Sequence, residues 1–416
     1  MGQTDDPVEV PEGKEQTQIE SSKKEWLLVY GSNDSGTIFD SLWNCIPPFK
    51  DADISIGVLT LLVSFLTSIV WTRTIRAVDD QPDPYNWLFY NFECPQECFC
   101  PPSFPNALYC DSKALKEIPV IPARIWYLYL QNNLIETITE KSFVNATQLK
   151  WINLNNNKIT TNGIEKGVFN NLKSLLYLFL EDNYLEEVPA PLPISLEQLR
   201  LARNRISIIP EGVFNNLENL TMLDLHQNKL LDNTLSSNTF QGLRSLMQLN
   251  VAQNALTKMP PILPPNVMQL FLDSNSIEAI PENYFDAINS IEAIPENYFD
   301  AMFKLVSLRL NNNKLTDGGL PIKVFNISSL LDLQLSYNEL TIVPAISIYL
   351  EQLHLDNNRI NTLNGTQMCP IPLPGDYVYE KNLPQLRYLR LDGNGIQPPL
   401  PLDLMLCFRL LQALVI

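Results

Sequence analysis

The chain carries two histidines, His226 and His354, each with an aspartate two residues away, Asp224 and Asp356. An imidazole beside a carboxylate can move a proton, but catalysis also needs a nucleophile and a pocket. The sequence offers neither, so it assigns no catalytic residue and no cofactor. Its other reactive groups are seven cysteines. Cys94, Cys98, Cys100 and Cys110 have the spacing C-x3-C-x-C-x9-C. A C-x-C pair is cramped for tetrahedral zinc and no histidine is near, so no metal site is assigned. As disulfides they allow three pairings. A Cys98–Cys100 bridge would span one residue and suits disulfide geometry poorly, which leaves two pairings open. Cys369 and Cys407 form a second group, and Cys45 is left over.

Other side chains invite modification. Sequons N-x-S/T stand at Asn145, Asn219, Asn326 and Asn364, where an attached glycan requires solvent. The acidic, aromatic stretch 79–93 holds Tyr85 and Tyr90. These are candidate sulfotyrosines; a plain solvated linker is the alternative reading.

The elements that must position these groups come from one phrase, L-x-x-L-x-L-x-x-N-x-L. It first occurs as Ile125, Leu128, Leu130, Asn133 and Ile135, and last as Leu386, Leu389, Leu391, Asn394 and Ile396. Eleven copies carry their asparagines at Asn133, Asn157, Asn183, Asn204, Asn228, Asn254, Asn275, Asn313, Asn338, Asn358 and Asn394. This is a leucine-rich repeat. The L-x-L core alternates at period two, so each copy predicts a short strand with one face on a core. No such strand is stable alone; stacked copies form a parallel sheet over one continuous core. The asparagine stands where the chain leaves the strand, and its amide can satisfy both donors and acceptors there. All four sequons lie outside the strand phrases.

Intervals between the asparagines run 24, 26, 21, 24, 26, 21, 38, 25, 20 and 36. The long-long-short order ties the short coils to proline-rich outer arms. Phe143, Phe169, Phe214, Phe240 and Phe325 on the longer arms are predicted to form a convex-side core spine. The interval of 38 contains a duplication: residues 275–287 (NSIEAIPENYFDA) recur at 289–301, a shift of 14 whose removal restores 24. The second copy is read as a gene-model error in preference to a bulging loop, which would expose a second Tyr-Phe pair. The fold class is therefore an α/β-type solenoid, a horseshoe with a concave parallel β-sheet, a disulfide N-terminal cap over 94–124, and repeats with an elongated ear over 125–416.

The N-terminal region follows other rules. Residues 1–53 hold 11 acidic and 4 basic residues without periodicity, which predicts a disordered leader, itself a candidate artefact. Residues 54–71 are uncharged and mostly apolar. Arg73 and Arg76 after them would leave an uncleaved anchor with the repeats in the cytosol, where disulfides and sequons make little sense. The region 54–77 is therefore expected to be a cleaved secretory signal, with a mature start between Thr72 and Val78 and an acidic extension over 78–93.

With 46 acidic and 29 basic residues the net charge is −17, which argues against a nucleic-acid partner. Binding is expected on the concave face, where outward side chains of every strand align. They include Trp126, Tyr127, Tyr129, Trp151, Tyr177, Phe179, Phe271 and both histidines, mixed with charges as in protein-binding patches. The same face is a candidate surface for a homodimer.

The cysteine cap, the triplet of repeat lengths and the long penultimate repeat together resemble the class II small leucine-rich proteoglycans over residues 71–416. The stretches FECPQECFCPPSFPNALYC, ARIWYLYLQNNLIETI and LPQLRYLRLDGN carry the likeness most closely. The resemblance implies the pairing Cys94–Cys100 with Cys98–Cys110, keratan sulfate chains on the sequon asparagines, and fibrillar collagen as partner. It points to Asp273 first, and Arg200, Asp224 and Arg309 join it as candidate collagen contacts. It also implies a secreted matrix protein that spaces fibrils in corneal stroma. Three features depart from the class: the leader, the duplication at 289–301, and the final repeat, where Gly395 and Gln397 replace an acid–base pair linked to collagen in relatives. The rival expectation is a membrane-anchored or secreted receptor of the same fold with a soluble protein ligand.

Overall fold

A computed structural model of the chain describes residues 93–282, 284–285, 304–364, 368–369, 383–397 and 399–416. The leader, the apolar run 54–71, Tyr85, Tyr90 and the duplicated copy 289–301 lie outside the described residues. Among the described residues, thirteen three-residue strands form one sheet in sequence order. All neighbours in it are parallel and in register; Leu128 of β2 (Tyr127–Tyr129), for example, stands beside Ile152 of β3 (Trp151–Asn153).

The repeat strands exist because the central residue of each is fully buried while its flanks, Phe179 and Phe271 excepted, are not. Leu128, Ile152, Leu178, Leu199 and their equivalents are 0% exposed. They belong to one apolar core that runs through every coil. Burying a leucine contributes about 1.5–3 kcal/mol, so stacking stabilises what a lone coil cannot. The repeat strands are β2, β3, β4 (Tyr177–Phe179), β5 (Gln198–Arg200), β6 (Met222–Asp224), β7 (Gln248–Asn250), β8 (Gln269–Phe271), β9 (Ser307–Arg309), β10 (Asp332–Gln334), β11 (Gln352–His354) and β12 (Tyr388–Arg390). Two further strands lie outside the repeats: β1 (Ala107–Tyr109) in the cap and β13 (Ala413–Val415) near the end.

Each ladder asparagine joins two coils. Asn157 accepts the Ile135 N–H at 3.1 Å and donates to the carbonyls of Leu130 and Leu154, both at 3.0 Å. The residue before it has positive φ, 55° at Asn156 and 61° at Asn132. This left-handed step turns the chain out of the strand, and asparagine tolerates it better than most residues. In the last coil Gly393 takes that position, with φ 71°.

The phenylalanine spine is buried, with Phe214 and Phe240 ring centroids 6.3 Å apart. A second device recurs on the outer arms of the coils that follow Asn157, Asn228 and Asn313. Short 3₁₀ helices at Thr161–Gly163, Asp232–Thr234 and Asp317–Gly319 each begin with a side chain that caps the next coil. Thr161 accepts the Glu186 N–H at 2.8 Å, and Asp232 accepts those of Thr257 and Lys258 at 2.8 and 3.1 Å. Asp317 accepts from Thr341 in the same way, through both backbone and hydroxyl. The long-long-short order is thereby stitched once per triplet.

Caps close the ends. Cys94 pairs with Cys100 and Cys98 with Cys110, and an antiparallel bridge between Phe99 and Tyr109 covers the outer edge of β1. Cys369 pairs with Cys407, tying the ear to the helix Leu402–Cys407.

Candidate protein-binding face

The strand register assembles the outward side chains into rows. One row runs Tyr109, Tyr129, Asn153, Phe179, Arg200, Asp224, Asn250, Phe271, Arg309, Gln334, His354 and Arg390. Its N-terminal part is aromatic. Tyr109 and Tyr129 stack at 4.6 Å with rings 1° from parallel. Trp151, in the adjoining row, lies 5.1 Å from Tyr177 and meets Phe179 edge-on at 4.6 Å. Tyr177 also donates its hydroxyl to Glu197 at 3.0 Å. Burial, with that carboxylate, pushes the Tyr177 phenol up to about 12. These rings pack against one another while keeping part of their surface open.

Beyond β4 the face turns polar, and two arginines repeat one arrangement. The Arg200 guanidinium lies over Phe179 at 5.0 Å, and that of Arg309 over Phe271 at 5.3 Å. In both cases the arginine comes from the next strand in register. The two phenylalanines expected as exposed contacts are therefore buried, at 6% and 7% exposure. What they present outward is a cation held flat by the ring.

Asp273, just past β8, is largely occupied inside the fold. Its Oδ1 accepts the Asn311 N–H at 2.9 Å, and its Oδ2 lies 2.9 Å from Arg309 Nε. Burial holds its carboxyl above the ordinary range, with Arg309 opposing that shift. Glu181 is shifted the same way by burial, and its Oε2 accepts the Asn155 amide. In relation to a ligand Asp273 is thus a positioning group for Arg309, a role the spacing of residues could not reveal.

The histidines occupy different settings. His226 lies two residues past β6, between Asp224 Oδ1, 2.9 Å from its Nδ1, and Arg203 Nη1, 3.1 Å from its Nε2. Arg203 in turn pairs with Asp182 at 2.8 Å. His354 sits on β11 with its ring 5.0 Å from Tyr388; burial lowers its pKa, against Asp332 and Asp356. Asp356 accepts from Ser336, and Arg390 pairs with Asp392 at 2.7 Å. Every acid near an imidazole is thus committed to neighbours that hold the face in shape, and no cluster of metal-binding side chains occurs among the described residues. The structure brings Arg200 and Asp224 together on adjacent strands and places Asp273 with Arg309 farther along the same face.

The sequon asparagines Asn145, Asn219, Asn326 and Asn364 are all exposed and none lies in a strand. No helix among the described residues is long and apolar enough to cross a membrane.

Comparison with known proteins agrees with this architecture. The leucine rich repeat family pattern matches residues 124–185 and 194–256. A chain of the solved octameric complex of Latrophilin 3, Unc5D and FLRT2 has the same fold, at TM-score 0.52 and 24% identity over 76% of this chain and 100% of that one. Keratocan of Gallus gallus is 68% identical over 359 residues, covering 86% of this chain and 98% of the relative. Prolargin of Mus musculus is 54% identical over 327 residues, covering 78% and 82%. With relatives this similar over nearly their whole length, the chain belongs to the keratocan family of class II small leucine-rich proteoglycans, secreted proteins of the extracellular matrix that are not enzymes.

Proposed function

We propose that the concave face binds fibrillar collagen and that keratan sulfate chains on Asn145, Asn219, Asn326 and Asn364 hold neighbouring fibrils apart in corneal stroma. The observation that carries this reading is the graded face itself. Aromatic rings crowd β1 to β4, and ring-supported arginines, acids and amides follow from β5 to β12. A collagen triple helix presents imino-acid rings and charged side chains along one rod. Rings stack on aromatics, while charges pair with Arg200, Asp224, Arg309 and Arg390. Asp273 aims Arg309 at such a partner.

Sulfated glycans leaving the exposed arms would project as hydrated polyanions, added to a chain that already carries −17. Their mutual repulsion limits lateral fusion of fibrils. Sulfation of Tyr85 and Tyr90 would extend the same negative field at the N-terminal end. Two copies closing concave face on concave face would hide the collagen surface, so a homodimer and a collagen complex compete. The test is electron microscopy of collagen fibrils assembled with the secreted protein, intact or stripped of its N-linked chains. Both forms should narrow fibril diameters, and only the intact form should widen their spacing. Diameters equal to those of collagen alone would refute collagen binding.

A further inference from the structure

We propose that the asparagine-ladder side of the solenoid carries a binding site for a sulfated glycosaminoglycan, separate from the concave face. The residue immediately after each ladder asparagine forms a row of its own. Its backbone N–H donates to the preceding coil, as in Lys158 to Ile135 at 2.9 Å, Tyr184 to Ile159 at 2.8 Å, Arg205 to Leu185 at 2.8 Å and Lys229 to Ile206 at 2.9 Å. The same bond recurs at Lys314 and Arg359, at 2.9 and 2.8 Å. Side chains of this row are thus stacked coil upon coil, about 5 Å apart.

In a protein of net charge −17, this row is basic. From Lys158 to Arg359 it contains five cations and one acid, Glu339, which pairs with Arg359 at 3.1 Å. The densest part lies over coils β3 to β6. There Lys158, Arg205 and Lys229 are all exposed, and the Arg205 guanidinium sits 4.6 Å over the exposed Tyr184 ring. The ring fixes a fork that can grip a sulfate with two parallel N–H bonds. On the concave side the acid Asp182 is paired with Arg203. Two residues farther along their own coils stand Glu136, Glu186 and Glu278. The acids confine the positive stripe to a narrow line.

A narrow line holding five cations over nine coils, roughly 40 Å long, matches an extended polyanion better than a compact anion or a folded acidic partner. Sulfates spaced along a flexible chain can meet successive coils, and each engaged cation releases a counterion. The sugar rings need no pocket. Such a chain would come from another matrix molecule and link it to a face that collagen leaves free.

The test uses the full secreted protein, with and without its N-linked chains, on immobilised chondroitin 4-sulfate and on the same polymer chemically desulfated. The triple variant Lys158→Glu, Arg205→Glu, Lys229→Glu is compared with a surface control of equal charge change, Lys116→Glu, Lys166→Glu, Lys173→Glu. The wild type should prefer the sulfated polymer whether or not its own chains are present. The row variant should lose about tenfold or more in affinity, with the slope of log affinity against log salt reduced by about two to three. The control should change by less than about threefold. Equal weakening of both variants, or equal binding to the desulfated polymer, would overturn the proposal. So would cross-linking of the row to residues 79–93 of the same chain without capture of added polymer, which would make the protein's own acidic segment the occupant.

Discussion

Asp273 and Arg309 meet at 2.9 Å across the step from β8 to β9, and the other Asp273 oxygen takes the Asn311 N–H at 2.9 Å. The carboxylate is therefore used up within the sheet, and the guanidinium is what the pair offers to a partner. Asp273→Asn keeps an acceptor for Asn311 and loses the charge that aims Arg309. Collagen affinity should fall for Asp273→Asn and for Arg309→Gln, and the double variant should be little worse than either. A coupling of about 1 kcal/mol or more in that cycle supports positioning; strict additivity would mean that Asp273 acts on collagen by itself.

Asn204 binds four backbone groups: the Leu185 N–H at 3.0 Å and the carbonyls of Leu180, Leu201 and Ala202 at 2.9, 3.1 and 3.2 Å. Asn204→Ala orphans them in a region water reaches poorly. The expected loss is about 3 kcal/mol, read as a lower urea midpoint. Asn156→Ala, on the exposed rim where the side-chain amide donates to Asn132, should cost far less.

The bridge Cys369–Cys407 closes a separation of 38 residues. Removing it with paired serines should destabilise the C-terminal end by about 4 kcal/mol through the freed unfolded chain. Limited proteolysis should then cut first within the ear while β2 to β9 stay protected. Uniform loss across all coils would instead mean that the solenoid unfolds as one unit.

Burial pulls the His354 imidazole below its ordinary 6.5. In the window beneath that value the unfolded chain binds the proton more readily than the folded one. Stability contributed by neutral His354 is therefore present above pH 6.5 and is lost as the pH falls. His354→Gln should flatten this part of the stability curve. Glu181 has the opposite sign: burial holds it above 4.5, so stability is lost as the pH rises past that value, and Glu181→Gln should stabilise the protein at neutral pH. A wild-type curve that is flat from pH 5 to 7, unchanged by His354→Gln, would contradict the first assignment.

The repeat phrase made most of this fold legible. Asn133 to Asn394 marked every repeat strand, because the ladder bond needs an amide at one position of each coil and no other residue supplies both functions so well. The spine from Phe143 to Phe325 was legible for a similar reason, since a large ring recurring on the outer arm has nowhere else to go. Strands β1 and β13 were not visible, because a three-residue strand at a stack end has no ladder asparagine and is defined by its neighbour's backbone. The burial of Phe179 and Phe271 under Arg200 and Arg309 was equally hidden, since the partners come from different coils and only the register joins them. Asp232 and Asp317 looked like ordinary surface acids; their capping of Thr257 and Thr341 appears only when the coils are stacked.

Collagen binding through the concave face is tested most directly by comparing two neutralised variants of the secreted protein on reconstituted collagen fibrils. One is Arg200→Gln, Arg309→Gln, Arg390→Gln on the concave strands; the other is Arg244→Gln, Arg409→Gln away from them. The concave variant should bind at least about tenfold more weakly and the other like wild type. Wild-type binding by the concave variant would contradict the assignment of this face.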